Sequence, residues 1–194
     1  MWETPLMTSK SELRKKFSLI RNNISDEKIF TAEQDLMSIV RENVDIFKEK
    51  KISCYWSTGK EMPTLSLIEY ISEIGSEIYL PTIKHDSKVL IFNRFEDKSK
   101  LIKNKYGIYE QPAGKKLDIE DLDIILIPCV CFDSNGFRIG MGKGYYDHSL
   151  AESQSNKQMR IIVAYEFQRI ENCFPEAHDV GAKACLTDKN LQIF

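Results

Sequence analysis

The chain has 194 residues, 42% of them hydrophobic, enough for one sizeable core and a single domain spanning residues 1–194. A net charge of -2 and a pI near 6.0 argue against a general nucleic-acid or membrane-surface binder, so any anion site must be a local gathering of cations. No apolar run approaches the roughly 18 residues of a bilayer span, Met1–Met7 lacks the regions of a signal peptide, and five scattered cysteines make no disulfide framework. The expectation is a cytoplasmic protein without nucleic-acid or membrane partners, acting as a monomer.

Helical and strand patterns then alternate along the chain. Ser9-Lys-Ser-Glu12 resembles a capping box, and Leu13, Phe17, Ile20 and Ile24 recur at helical spacing, which predicts a first helix from about Ser9 to Asn22. Lys10, Arg14 and Arg21 lie at i, i+4 and i+11, so they share a cationic stripe centred about 70° around the helix from the apolar one, where it can line a cleft. Lys15 and Lys16 fall elsewhere and read as solvated. Ser25 caps a second predicted helix whose Ile29, Ala32, Leu36, Ile39, Val40 and Phe47 keep the same period.

A short strand is predicted at Ile52–Trp56, then a helix opened by Pro63 and Thr64 and ending before Gly75, then strands at Glu77–Leu80 and Val89–Phe95. Lys98–Lys116 reads as polar and irregular. Asp123–Phe132 predicts a central buried strand, in which Cys129 and Cys131 share one face as small buried residues. A helix near Tyr145–Ser153, a strand at Arg160–Tyr165 and another near Ala184–Thr187 follow. The alternation favours an α/β fold: a single-domain three-layer sandwich with a mostly parallel central sheet and Rossmann-like topology. The three histidines, His85, His148 and His178, show no metal-ligand spacing.

Arg138-Ile-Gly-Met-Gly-Lys-Gly-Tyr-Tyr-Asp147 is the most informative stretch. Gly140, Gly142 and Gly144 can take positive φ and turn several N–H groups toward one point, a helix N-terminus follows, and Arg138 and Lys143 add full charges. The spacing is neither that of a P-loop nor of a dinucleotide fingerprint. On pattern alone, a tight glycine-rich turn stands beside phosphate binding as a reading.

The segments Lys10 to Arg14, Glu61-Met-Pro-Thr64, Leu80-Pro81, Gln111-Pro112, Phe132-Asp133 with Gly136, and Arg138 to Asp147 occur in an order that resembles the 5-formyltetrahydrofolate cyclo-ligase family. The resemblance implies an ATP- and Mg2+-dependent enzyme closing 5-formyltetrahydrofolate to 5,10-methenyltetrahydrofolate, with release of ADP and phosphate, through a phosphorylated formyl (iminium phosphate) intermediate. It implies that Lys10, Arg14, Arg138, Lys143 and the three glycines hold the phosphates of ATP, with Arg138 and Lys143 catalytic and Tyr145 and Tyr146 beside the nucleotide. Glu61, Trp56, Met141 and Tyr145 would receive the folate, and Asp147 would hold the metal.

The residues by themselves leave other readings open. Trp56 and Tyr145 suit a core slightly better, Glu61 suits a solvated loop or a helix start before Pro63, and Asp147 suits a first helical turn with no metal. No residue is a convincing general base. Lys183 stands where the family usually carries an aspartate after its His-Asp pair, here His178-Asp179, and Cys129 and Cys131 replace small residues. A binding relative without turnover, or a sugar-phosphate isomerase-like enzyme on a similar scaffold, are the alternatives.

Overall fold

The computed structural model describes residues 9–83, 86–153 and 157–194, so the expectations for residues 1–7 and for His85 fall outside it. Helix α1 (Lys10–Asn22) carries the Ser9 cap, whose Oγ accepts from the Glu12 N–H at 3.3 Å. Leu13 and Phe17 are buried, but Ile20 is exposed and Arg21 is buried instead. Helix α2 (Asp26–Glu42) starts on the Ser25 cap. It does not continue to Phe47 as its period predicts. Asn43 turns its side-chain amide back to the Ile39 carbonyl at 2.8 Å, and a separate short helix follows, α3 (Val44–Phe47). That local bond competes with continuation of the backbone ladder.

The remaining elements are β1 (Lys51–Ser53), α4 (Leu65–Glu73), β2 (Glu77–Ile83), β3 (Leu90–Arg94), β4 (Ile102–Lys103), β5 (Tyr109–Glu110), β6 (Lys116–Leu117), β7 (Ile124–Pro128), β8 (Cys131–Asp133), β9 (Arg138–Ile139), α5 (Tyr145–Glu152), β10 (Met159–Val163), β11 (Arg169–Ile170), β12 (Ala184–Leu186) and β13 (Leu191–Ile193). Eight strands form the main sheet in the order β13-β12-β10-β7-β1-β2-β3-β6. The five from β12 to β2 pair in parallel. The flanking pairs β12/β13, β2/β3 and β3/β6 are antiparallel.

Strand β7 shows how the layers form. Alternate side chains point to opposite faces. Ile124 and Leu126 pack with Leu36, Val40, Leu67 and Ile71 of α2 and α4, while Ile125 and Ile127 pack with Leu150 of α5. A strand buried on both faces is a continuous apolar run, which is why Ile124–Ile127 contains no polar residue. The α5 face also carries a small sheet in the order β11-β8-β9, whose Phe132 packs on Ile162 and Cys185. Helix α1 covers that small sheet through Leu13 and Phe17.

Three expectations are corrected here. The predicted strand Asp123–Phe132 is two strands, β7 and β8, in different sheets. Cys129 and Cys131 therefore do not share a face: Cys129 packs with Ile162 and Ala164, and Cys131 with Leu13 and Phe17. The stretch from Lys98 to Lys116 is also more ordered than its polarity suggests, since β4 and β5 form a hairpin.

The strand order creates a crevice. From β1 the chain crosses through α4 to β2 on one side, whereas β7 lies on the other side of β1. The loops leaving the carboxyl ends of β1 and β7 diverge, and ligands of open α/β sheets bind at such points.

Candidate active site

A cleft of about 610 Å³ opens at this switch point. Tyr55, Trp56, Thr58 and Glu61 reach it from the segment after β1, and Pro128 and Cys129 from the end of β7. The sequence places Trp56 in a strand, but β1 ends at Ser53 and releases the residues that follow toward the opening.

The glycine loop forms one wall. It leaves β9, a strand of the small sheet, and ends at Gly144, the N-cap of α5 at φ 74°. The predicted positive φ holds for Gly142 (+83°) and Gly144 (+74°) but not for Gly140. A Cβ on Gly140 would meet no protein atom within 4 Å, so this glycine keeps open space above the backbone rather than allowing a turn. Arg14 fastens the loop to α1: its Nε donates to the Gly140 carbonyl at 2.8 Å, and its guanidinium lies across Gly142.

The predicted cationic stripe of α1 faces this cleft, with Lys10, Arg14 and Arg21 all lining it, while Lys15 and Lys16 are exposed. Lys10 Nζ contacts Asp179 at 2.5 Å and Glu176 at 2.9 Å. Burial works against the Lys10 ammonium, but these two carboxylates outweigh it and hold the group above the ordinary lysine value. Burial likewise works against the Asp179 carboxylate, and Lys10 with the Glu176 N–H outweighs it and holds it below the ordinary range. Arg138 is buried; Nη1 donates to the Val180 carbonyl at 2.7 Å and Nη2 to Asp147 Oδ1 at 2.8 Å. Asp147, in the first turn of α5, is thereby held against the loop. Lys143 is exposed, with Nζ 6.0 Å from the centre of the Tyr106 ring.

Aromatic side chains also line the cleft. Trp56 is half-buried against the main core and also lines the cleft, its ring 5.8 Å from that of Tyr109 and 6.1 Å from that of Phe95. Tyr145 does the same on the α5 side, and its hydroxyl lies 3.3 Å from that of Tyr106. That bond, with Lys105 and Lys143 nearby, draws the Tyr106 phenol below the ordinary tyrosine value. Tyr146 lines the floor; its hydroxyl is buried without a partner, and burial pushes its pKa up. Glu61 is not a solvated loop acid: Oε2 accepts from the Thr58 N–H at 2.9 Å, and Oε1 lies 3.6 Å from Arg21. Met141 is exposed at the rim.

Every site residue singled out from the sequence thus lines this one cleft. Sequence reasoning missed Tyr106, Tyr109, Glu110, Glu176 and Asp179. The first three lie on the β4–β5 hairpin, and its signal was present: Asn104 and Gly107 make a turn between Ile102 and Tyr109, with the Gly107 N–H donating to the Asn104 carbonyl at 2.9 Å.

The cleft offers cations and backbone N–H groups to a polyanion, and flat aromatic faces with carboxylates to a heterocycle. The sequence profile of the 5-formyltetrahydrofolate cyclo-ligase family matches residues 6–188. Among curated relatives, the chain is 30% identical over 174 residues to 5-formyltetrahydrofolate cyclo-ligase of Haemophilus influenzae, covering 88% of this chain and 93% of that one. It is 32% identical over 147 residues to the enzyme of that name from Escherichia coli K12, covering 72% and 79%. The solution structure of 5,10-methenyltetrahydrofolate synthetase from Aquifex aeolicus superposes with a TM-score of 0.82 at 30% identity, over 95% of this chain and 92% of that one.

Proposed function

The chain belongs to the 5-formyltetrahydrofolate cyclo-ligase family and is an enzyme, and from that premise we propose that this cleft closes 5-formyltetrahydrofolate to 5,10-methenyltetrahydrofolate with ATP as second substrate. The observation that carries the reading is the convergence of Lys10, Arg14, Lys143 and the glycine loop on one cleft that Trp56, Tyr109 and Tyr145 also line.

A formamide oxygen is a poor leaving group. In the proposed reaction this oxygen attacks the γ-phosphorus and ADP departs; N10 then adds to the formyl carbon, its proton leaves, and phosphate carries away the oxygen. Such chemistry asks the protein chiefly for alignment and charge neutralisation, which fits a site without an evident general base. Lys10, Arg14 and Lys143 bind the phosphates, and the open space above Gly140 lets them approach the backbone. Lys10 exchanges Asp179 and Glu176 for phosphate oxygens as the nucleotide enters. Arg138 orients Asp147. Glu61, anchored by Thr58, accepts from folate N–H groups, and Trp56, Tyr145 and Met141 flank the ring system, while Tyr146 lies beside the nucleotide.

The donor set suits magnesium. Among the described residues no three Asp, Glu, His or Cys side chains gather as a ready cage, and magnesium takes one or two carboxylates, substrate phosphates and several waters. Asp147 would hold it, and when bound it supplies neutralisation of phosphate charge. Among the described residues no helix is long and apolar enough to cross a membrane. All five cysteines are free and buried, which suits a reducing compartment such as the cytoplasm.

The test is absorbance in the methenyl product's ultraviolet band with 5-formyltetrahydrofolate, magnesium and ATP, each omitted in turn. Product growth needing all three is expected. Protein that binds both substrates yet forms no product would overturn the assignment.

A further inference from the structure

One buried acid in the cleft has no part in the mechanism above. Glu110, at the end of β5, is only 6% exposed and lines the cleft beside Tyr145 and Tyr109. Its Oε1 accepts from the Ile83 N–H at 3.0 Å and from Asn104 Nδ2 at 2.6 Å. Among the described residues no cation comes within ion-pair reach of it, and nothing donates to Oε2. The two neutral donors fix one oxygen, and the other is not sealed in the interior but stays accessible at the cleft, open to a donor that enters it. The hairpin turn is built to present it so: Asn104 Oδ1 accepts from Tyr106 and Ile108 N–H groups at 2.8 and 3.1 Å, which turns the Asn104 amide nitrogen toward Glu110.

We propose that Glu110 is a specificity-determining residue whose Oε2 accepts a hydrogen bond from the amino-substituted pyrimidine ring of the folate. This rests on the folate reading of the cleft. The chemistry required is an N–H donor on a flat heterocycle. The 2-amino-4-oxo ring of a pteridine and the 6-amino group of adenine both supply one. Two features favour the pteridine. It carries two adjacent N–H donors, either of which can meet the one open oxygen, and Glu110 lines the cleft beside Tyr109 with no cation of the described residues within ion-pair reach.

Glu110→Gln tests this without removing the anchor. The Ile83 and Asn104 donors require a carbonyl oxygen where Oε1 stands, so the amide NH2 is forced to the cleft, donor facing donor. Binding of 5-formyltetrahydrofolate, measured calorimetrically without ATP, is expected to weaken about tenfold to a hundredfold, while ATP binding and the thermal midpoint stay as in the wild type. A 2-desamino analogue should bind the wild type correspondingly less well, a result independent of any variant's folding, and E110Q should not distinguish it from the parent folate. Unchanged folate affinity in E110Q would overturn the proposal, as would a loss confined to ATP. Failure of the wild type to bind 5-formyltetrahydrofolate would instead refute the folate reading itself.

Discussion

The glycine loop contains two glycines that should fail in opposite ways when a single methyl is added. At Gly142, φ is +83°, so Gly142→Ala forces an L-residue into the left-handed region, which costs about 1–2 kcal/mol. The new Cβ would also touch the Arg14 guanidinium at 3.4 Å, an ordinary contact with a flexible side chain that adds little. For a chain of this length the cost corresponds to a fall of about 2–8 °C in the thermal midpoint. At Gly140 neither term exists: φ is not positive, and the added methyl meets no protein atom within 4 Å. Gly140→Ala should therefore leave stability within about 0.5 kcal/mol of the wild type. What the methyl would meet is the nucleotide. Overpacking against a bound phosphate by about 1–3 kcal/mol raises the ATP requirement roughly fivefold to 150-fold. Thermal unfolding and initial rates against ATP concentration measure both quantities on both variants. If Gly140→Ala shows wild-type ATP dependence, the loop does not approach the nucleotide at that point. If Gly142→Ala is as stable as the wild type, the conformational argument is wrong.

Three further outcomes follow from the same geometry. Gly136→Ala would place its Cβ 2.4 Å from the Ala182 carbonyl oxygen, a backbone atom that cannot yield; the β8–β9 turn that leads to Arg138 should be lost, and circular dichroism should show a protein destabilised by more than 3 kcal/mol, on the order of a severe core lesion. The Asp179 carboxylate is held below its ordinary value, so its contribution is present above the unfolded pKa of about 4 and is lost as pH falls through the folded one; urea midpoints of wild type and Asp179→Asn should differ near neutrality and converge in acid, and a gap that widens in acid would contradict the sign. Asp147→Asn leaves Arg138, whose side chain is 4% exposed, facing a neutral amide. That should lower stability by about 1–2 kcal/mol and flatten the magnesium dependence of turnover, and an unaltered magnesium titration would remove Asp147 from the metal role.

The sequence by itself determined the features that depend on neighbours a few positions apart. The Ser9 and Ser25 caps, the helices after them, the apolar run of β7 and the cationic stripe of α1 are legible because helical and strand periods repeat locally. The glycine loop was equally legible, and so was membership in a family, since both are written in consecutive residues. Helix α2 escaped at its end because one Asn side chain outbid the backbone there, a choice the apolar period does not encode.

Only the tertiary structure decided where these pieces meet. Lys10 and Asp179 are 169 positions apart, and neither residue's surroundings in the chain announce the other. The split of the central run into β7 and β8 depended on Cys131–Asp133 finding Arg138–Ile139 and Arg169–Ile170 as partners rather than extending the main sheet. The strand order, with β1 between β2 and β7, put the ends of two strands at one crevice, where Trp56 and Tyr145 both pack on the core and line the opening. Pairing between distant segments is chosen by the burial it allows in the whole chain, and that quantity has no local trace in the sequence.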